Sequence, residues 1–191
     1  MRDEFPASRG AIPQADAAPR CEFVTGPRGA GKTRWVQRRI RELVDERPGA
    51  QCAVLLAEEG RTRMERFCAE TPGVSARRLL LPCMCCPGLA DLPGIMRELM
   101  TAIRPGWIFV EAPALAATGL MAEFDRAVGW PRKLDICLDA GWTLALRDGS
   151  LAPFQLALLG LADLVVPSSS RVDSRRSASG AASPTSLYDP A

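Results

Sequence analysis

Three groups of residues in this sequence have the types and spacing to do chemistry. The first is Gly26-Pro27-Arg28-Gly29-Ala30-Gly31-Lys32-Thr33, which fits G-x-x-x-x-G-K-[ST]. Glycines at 26, 29 and 31 let backbone N–H groups turn inward and approach phosphate oxygens, and a helix opening at Lys32 offers the same anion its positive end. Lys32 is placed to reach the β- and γ-phosphates and the Thr33 hydroxyl to ligate Mg²⁺. A chance glycine turn is the bland alternative, but an apolar strand pattern precedes this turn and an amphipathic helix pattern follows it. The second group is Cys83-Met84-Cys85-Cys86. Three thiolates within four positions can surround one Zn²⁺, Co²⁺ or Cu⁺. The fourth ligand would be a distant cysteine, a carboxylate such as Glu58, or water, so an open, exchangeable site is expected. The competing reading is a set of small buried hydrophobes or a redox pair. The third group is Glu111 and Asp139, carboxylates that close two apolar runs.

What is missing narrows the chemistry further. The 191 residues include no histidine, which removes Ser-His-Asp and Cys-His catalysis and His-ligated zinc. Seven cysteines, an odd number, together with no apolar stretch after the charged start, lead us to expect a reduced, cytoplasmic protein without a disulfide framework. Lys plus Arg number 24 against 22 Asp plus Glu. That balance gives no reason to expect nucleic acid or an anionic membrane as partner. Arg34, Arg38, Arg39 and Arg41 read as a solvated helix face. No apolar run approaches the roughly 18 residues a membrane span needs.

The elements that must position these groups alternate in type. Strands are expected at 21–25, 51–57, 78–81, 107–111, 134–138 and 164–166. Helices are expected from Lys32 to Pro48, at 61–70, from an Asp91 cap with Pro93 in the first turn through 103, at 118–128 and at 151–161. Alternation of this kind predicts an α/β fold, a mostly parallel sheet sandwiched by helices, with ligands at the carboxyl ends of the strands. The glycine turn, Glu111 and Asp139 all fall at such ends. Cys21, Cys52 and Cys137 lie inside strands and are expected in the core. Residues 1–20 and the Ser-rich 167–191 read as disordered flanks of one domain over 21–166.

A phosphate loop followed some fifty residues later by C-x-C-C resembles the CobW-type P-loop GTPases, metallochaperones related to the HypB and UreG groups. The likeness covers roughly residues 21–173. Where that family has Asn-Glu-Phe-Gly after the second strand, this chain has Ala57-Glu58-Glu59-Gly60. Where it has Gly-Cys-x-Cys-Cys and then an acidic residue opening a helix, Pro82 stands for the Gly, and Cys83, Cys85, Cys86 and Asp91 fit. The Walker B strand matches Trp107 to Glu111, but Ala114 stands for the Gly of Glu-x-x-Gly. Leu138-Asp139-Ala140 and Gln155 through Val166 match two later motifs. The guanine motif Leu-Asn-Lys-x-Asp has no strict counterpart. Shifted by two residues, Ser170-Arg171-Val172-Asp173 echoes it and places Asp173 to accept guanine N–H groups. The family's histidine-rich stretches and C-terminal domain have no match, so a minimal G domain is expected.

The resemblance implies GTP (with ATP possible) and Mg²⁺ at 26–33, with Lys32, Thr33 and Glu111 as the catalytic set. Zn²⁺ or Co²⁺ would sit at Cys83, Cys85, Cys86 and Glu58, released to a client metalloprotein, and a homodimer is compatible with this. Turnover should be slow, since no Arg finger or water-positioning Gln can be assigned. Two rivals stand beside this reading. One is a degenerate, non-hydrolysing paralogue that binds nucleotide, metal or a partner. The other is an ATP-dependent small-molecule kinase in which the cysteines are incidental.

Overall fold

The computed structural model describes residues 18–57, 63–79 and 92–167. Six strands, β1 (Arg20–Thr25), β2 (Cys52–Leu56), β3 (Val74–Arg78), β4 (Trp107–Glu111), β5 (Arg132–Cys137) and β6 (Leu164–Val166), form one sheet in the order β3-β2-β4-β1-β5-β6. Every pairing is parallel. Six helices complete the fold: α1 (Lys32–Glu46), α2 (Arg63–Glu70), α3 (Leu92–Ala102), α4 (Ala114–Ala127), α5 (Ala140–Arg147) and α6 (Pro153–Leu159). The expected α/β sandwich is the observed architecture.

Strand alternation divides the core into two layers. Phe23, Ala53, Leu55, Ile108, Val110, Leu134 and Ile136 point to one face, where Met96 and Leu99 of α3, Leu120 and Phe124 of α4 and Leu158 of α6 cover them. Val24, Val54, Leu56 and Phe109 point to the other, under Val36 and Ile40 of α1 and Met64 and Cys68 of α2. Because β2 is buried on both faces, it reads CAVLL, continuously apolar rather than alternating. The chain therefore leaves β1 toward one face, through α1, and leaves its neighbour β4 toward the other, through α4. Diverging connections from adjacent parallel strands open a crevice at their carboxyl ends, and this crevice lies between the glycine turn after Thr25 and Glu111.

Three elements differ from expectation. The third strand is Val74–Arg78, not 78–81. Only Val74 of its five residues is buried, because it is an edge strand, so its sequence lacks the apolar run that marked the leucines after it. Leu79, the first of those leucines, is buried, and its N–H donates to Leu56 O just beyond the strand. The second difference is α5, which was not anticipated. It buries no residue, so it leaves no apolar periodicity in the sequence. Its start is instead marked by Asp139, whose Oδ1 accepts from Trp142 N at 2.8 Å. In addition, α4 begins four residues earlier than the spacing suggested, directly after Pro113. The Asp91 cap and most of the expected flanks 1–20 and 167–191 lie outside the described residues.

Candidate functional site

The turn after β1 is built around its glycines. Gly26 has φ 141°, and a Cβ placed on it would lie 2.0 Å from the Cys137 carbonyl oxygen at the end of β5. Only glycine lets the chain pass that close. Gly31 holds the position before α1 at φ 89°, a left-handed conformation that side chains disfavour. The helix it opens has no side-chain cap and no acidic residue in its first turn. Its positive end is thus left facing the turn with no negative charge of its own first turn to meet it, an arrangement suited to an anion.

Lys32 is only 4% exposed. Its Nζ donates to the carbonyl oxygens of Gly26 and Pro27, each at 3.0 Å, so the ammonium folds back over the turn. Next to it, Thr33 Oγ1 donates to Glu111 Oε1 at 2.6 Å. These two residues are 78 apart in sequence and meet because α1 runs over the sheet face toward which Glu111 points. Glu111, 2% exposed, sits in register with Val24 of β1 and Leu56 of β2. A threonine hydroxyl against a carboxylate, beside a lysine and a helix N-terminus, is a donor set of hard oxygens that fits Mg²⁺ with a polyphosphate.

Sequence reasoning missed the braces of this site. Thr25, fully buried, donates through Oγ1 to Ala112 O at 2.9 Å, and Ala112 N donates to Val24 O. Together they clamp the end of β1 to the residue after Glu111. Trp35 of α1 donates through Nε1 to Asp135 Oδ2 at 2.8 Å. Lower on the same face, Glu22 lies between Arg39 (3.5 Å) and Lys133 (3.2 Å), and Lys133 also approaches Asp135 at 3.5 Å. The signal for these braces was present in the sequence: charged or hydroxylated residues at alternate positions inside otherwise apolar strands. Arg34, Arg38 and Arg41 of α1 are exposed as expected, with Arg38 over the Trp35 ring and Arg41 over that of Phe67, whereas Arg39 is partly buried against Glu22. Burial pushes the Cys21 and Cys137 thiols up to about 12, and those of Cys52 and Cys68 to about 11. These four are core groups, not reactive ones.

Of the residues singled out in the sequence, the fold brings together Gly26, Gly29, Gly31, Lys32, Thr33 and Glu111. Asp139 is at a strand end but serves as a helix cap. Glu58, Cys83, Cys85, Cys86 and Asp173 lie outside the described residues. Among the described residues no group of three or more His, Cys, Asp or Glu is arranged to hold a metal ion, and no helix is long and apolar enough to cross a membrane.

The fold is similar to the hydrogenase maturation factor HypB from Archaeoglobus fulgidus, with a TM-score of 0.51 and 16% identity over 80% of this chain. The chain spans 66% of that protein's length. It is less similar to APE1195, with a TM-score of 0.40 and 14% identity over 81% of this chain and 88% of that one. No curated protein matches the sequence significantly. The family model of the CobW/HypB/UreG nucleotide-binding domain matches residues 21–138, more than half of the chain, from within β1 to just past β5. This chain belongs to the family of CobW/HypB/UreG nucleotide-binding domains.

Proposed function

We propose that the chain binds a nucleoside triphosphate with Mg²⁺ at Gly26–Thr33, GTP in preference to ATP, and hydrolyses it slowly to govern a thiophilic ion. The ion, Zn²⁺ or Co²⁺, would be held by Cys83, Cys85 and Cys86 with Glu58 and passed to a client metalloprotein in the cytoplasm. The observation that carries this reading is the 2.6 Å contact between Thr33 and Glu111 beside the buried Lys32. When bound, Mg²⁺ would neutralise charge on the phosphate oxygens. Lys32 would exchange the two loop carbonyls for phosphate oxygens. The N–H groups of the turn would orient the phosphates, and Glu111 would fix the Thr33 hydroxyl. Asp173 would read the guanine.

Coupling to the cysteines is supported by topology. Ala57 and Leu79, the last described residues before the segments that carry Glu58 and Cys83–Cys86, both stand at the carboxyl edge of the sheet. That is the edge the phosphate loop occupies. A ligand held by one of these connections would act on its neighbours.

The test is a Co²⁺ titration of the reduced protein, following the thiolate-to-metal absorption band without nucleotide, with a Mg·GTP analogue and with a Mg·ATP analogue. The expected result is a band whose apparent affinity only the GTP analogue tightens. No band, or a band indifferent to nucleotide, overturns the coupling. ATP preference without metal binding supports the kinase reading instead.

A second reading has one observation in its favour. Ala114, which stands where the family has a flexible glycine, is the first residue of α4. Alanine favours the helix that glycine would loosen, and a stiffened position after Glu111 suits a binding module that does not hydrolyse. Phosphate release at saturating GTP separates the two readings.

A further inference from the structure

Arg28 stands apart from the other residues of the phosphate loop. Ala30 N donates to Pro27 O at 3.3 Å, so the chain turns tightly over these four residues, and Gly29, at φ 82°, supplies the left-handed conformation that such a turn needs in its third place. Arg28 is thereby fixed at the corner, between a proline and that glycine, and it is exposed. From Pro27 to Arg41 the sequence holds six cationic side chains and no carboxylate. Four of the six are occupied: Lys32 on the loop carbonyls, Arg38 and Arg41 on aromatic rings, and Arg39 on Glu22 and Glu42. Among the described residues Arg28 and Arg34 have no ion pair, hydrogen bond or ring contact. Arg34 stands two residues from each of the buried Lys32 and Val36, on the side of α1 turned away from the sheet. Arg28 belongs to the loop itself. A guanidinium displayed on the rim of an anion cradle, with no carboxylate to neutralise it, is a charge placed for a ligand.

We propose that Arg28 closes over the terminal phosphate of the nucleotide and makes the loop selective for triphosphate over diphosphate. The inference rests on the proposed binding of a nucleoside triphosphate at Gly26–Thr33. Two observations carry it. The first is place. The groups that meet the inner phosphates, Lys32 and the start of α1, lie on the buried side of the loop, whereas Arg28 is on its outer corner. A diphosphate held by the inner groups leaves that corner in water. A third phosphate adds charge at the mouth, where the planar fork of Arg28 can take two of its oxygens. The second observation is that the other candidate sensor, the backbone after Glu111, is pinned. Ala112 N donates to Val24 O, Ala112 O accepts from Thr25 Oγ1 at 2.9 Å, and α4 begins at Ala114, directly after Pro113. A segment bonded on both sides and followed at once by a helix does not swing toward a third phosphate. An exposed arginine without a partner changes rotamer freely, so the response to the third phosphate falls to Arg28.

The experiment is calorimetric titration of the full reduced chain with the Mg²⁺ complexes of GDP, ADP and a non-hydrolysable analogue of each triphosphate. Arg28→Ala should weaken the triphosphate analogue by roughly 10-fold and leave the diphosphate within about twofold, with whichever base the chain binds. Arg28→Lys, which keeps the charge and loses the fork, should fall between. Arg34→Ala, which removes the same charge from the outer side of α1, should change neither affinity. Added salt should shrink the triphosphate preference of the unaltered chain more than that of Arg28→Ala. The urea midpoint of Arg28→Ala should match that of the unaltered chain, so that lost binding is not lost fold. Equal weakening of diphosphate and triphosphate, a triphosphate preference that survives Arg28→Ala, or an equal drop from Arg34→Ala would overturn the proposal. An unaltered chain that binds no nucleotide overturns the underlying reading and this inference with it. One that binds diphosphate and triphosphate equally overturns the role of Arg28 alone.

Discussion

At the scale of single residues, the site turns on contacts that leave no slack. Gly26 is the strictest. Gly26→Ala would drive a methyl into the Cys137 carbonyl, 2.0 Å away, at a φ of 141° that side chains resist, so the turn or the end of β5 must move. We expect a loss of about 3 kcal/mol or more in urea unfolding; an unchanged midpoint would mean that the turn and β5 are not so closely packed. Thr33 and Glu111 make a gentler case, since Thr33 is only half-buried and its removal opens no large cavity. Thr33→Ala should lower affinity for a Mg²⁺-bound fluorescent nucleotide by roughly 10-fold or more while Mg²⁺-free binding changes little. Because the hydroxyl and carboxylate touch at 2.6 Å, Glu111→Gln should add little on top of Thr33→Ala. Simple additivity in that double-mutant cycle would mean that the two act apart.

Elements explain why some of this could be read from sequence and some could not. The glycine loop was legible because it needs local residues only: a strand end, three glycines and a helix start. The partner carboxylate Glu111 was legible because β4 is an unbroken apolar run that stops at a charge. What escaped reading were features set by neighbours. β3 is an edge strand with one buried side chain, α5 is a helix with no fully buried residue, and Glu22 is a charge inside β1 whose partners come from α1 and β5. Glu22 also gives an element-scale prediction. Its carboxylate is almost fully buried, whereas Arg39 and Lys133 are each a third exposed, so solvent screens their side of the pairing. Glu22→Ala should therefore cost about 1–2 kcal/mol, less than severing a fully buried pair. Charge reversal at Lys133 (Lys133→Glu) should cost more than Glu22→Ala, since it sets a third carboxylate against Glu22 and Asp135. Equal destabilisation by the two variants in urea would show that packing, not charge, holds this face together.

For the whole molecule, composition and burial together set the response to pH. With no histidine in the chain, no side chain has its ordinary pKa between 5 and 8, and stability should vary little there. The alkaline side differs. Cys21, Cys52, Cys68 and Cys137 are buried, and loss of water from their surroundings raises each thiol from 9.0 to about 11 or 12. A thiol raised in this way keeps its proton in the folded chain after the unfolded chain has released it. Its contribution is thus complete below pH 9 and is lost as pH climbs toward the folded value, at up to about 1.4 kcal/mol per pH unit for each thiol. Urea midpoints should hold steady from pH 6 to 8 and fall steeply between 9 and 11. Cys137→Ala and Cys21→Ala should each reduce that slope by the share of one proton, even where they lower stability at neutral pH by opening a small cavity. A midpoint that stays level to pH 10.5 would contradict the burial of these thiols, and a fall that neither alanine variant softens would assign the alkaline transition to other groups.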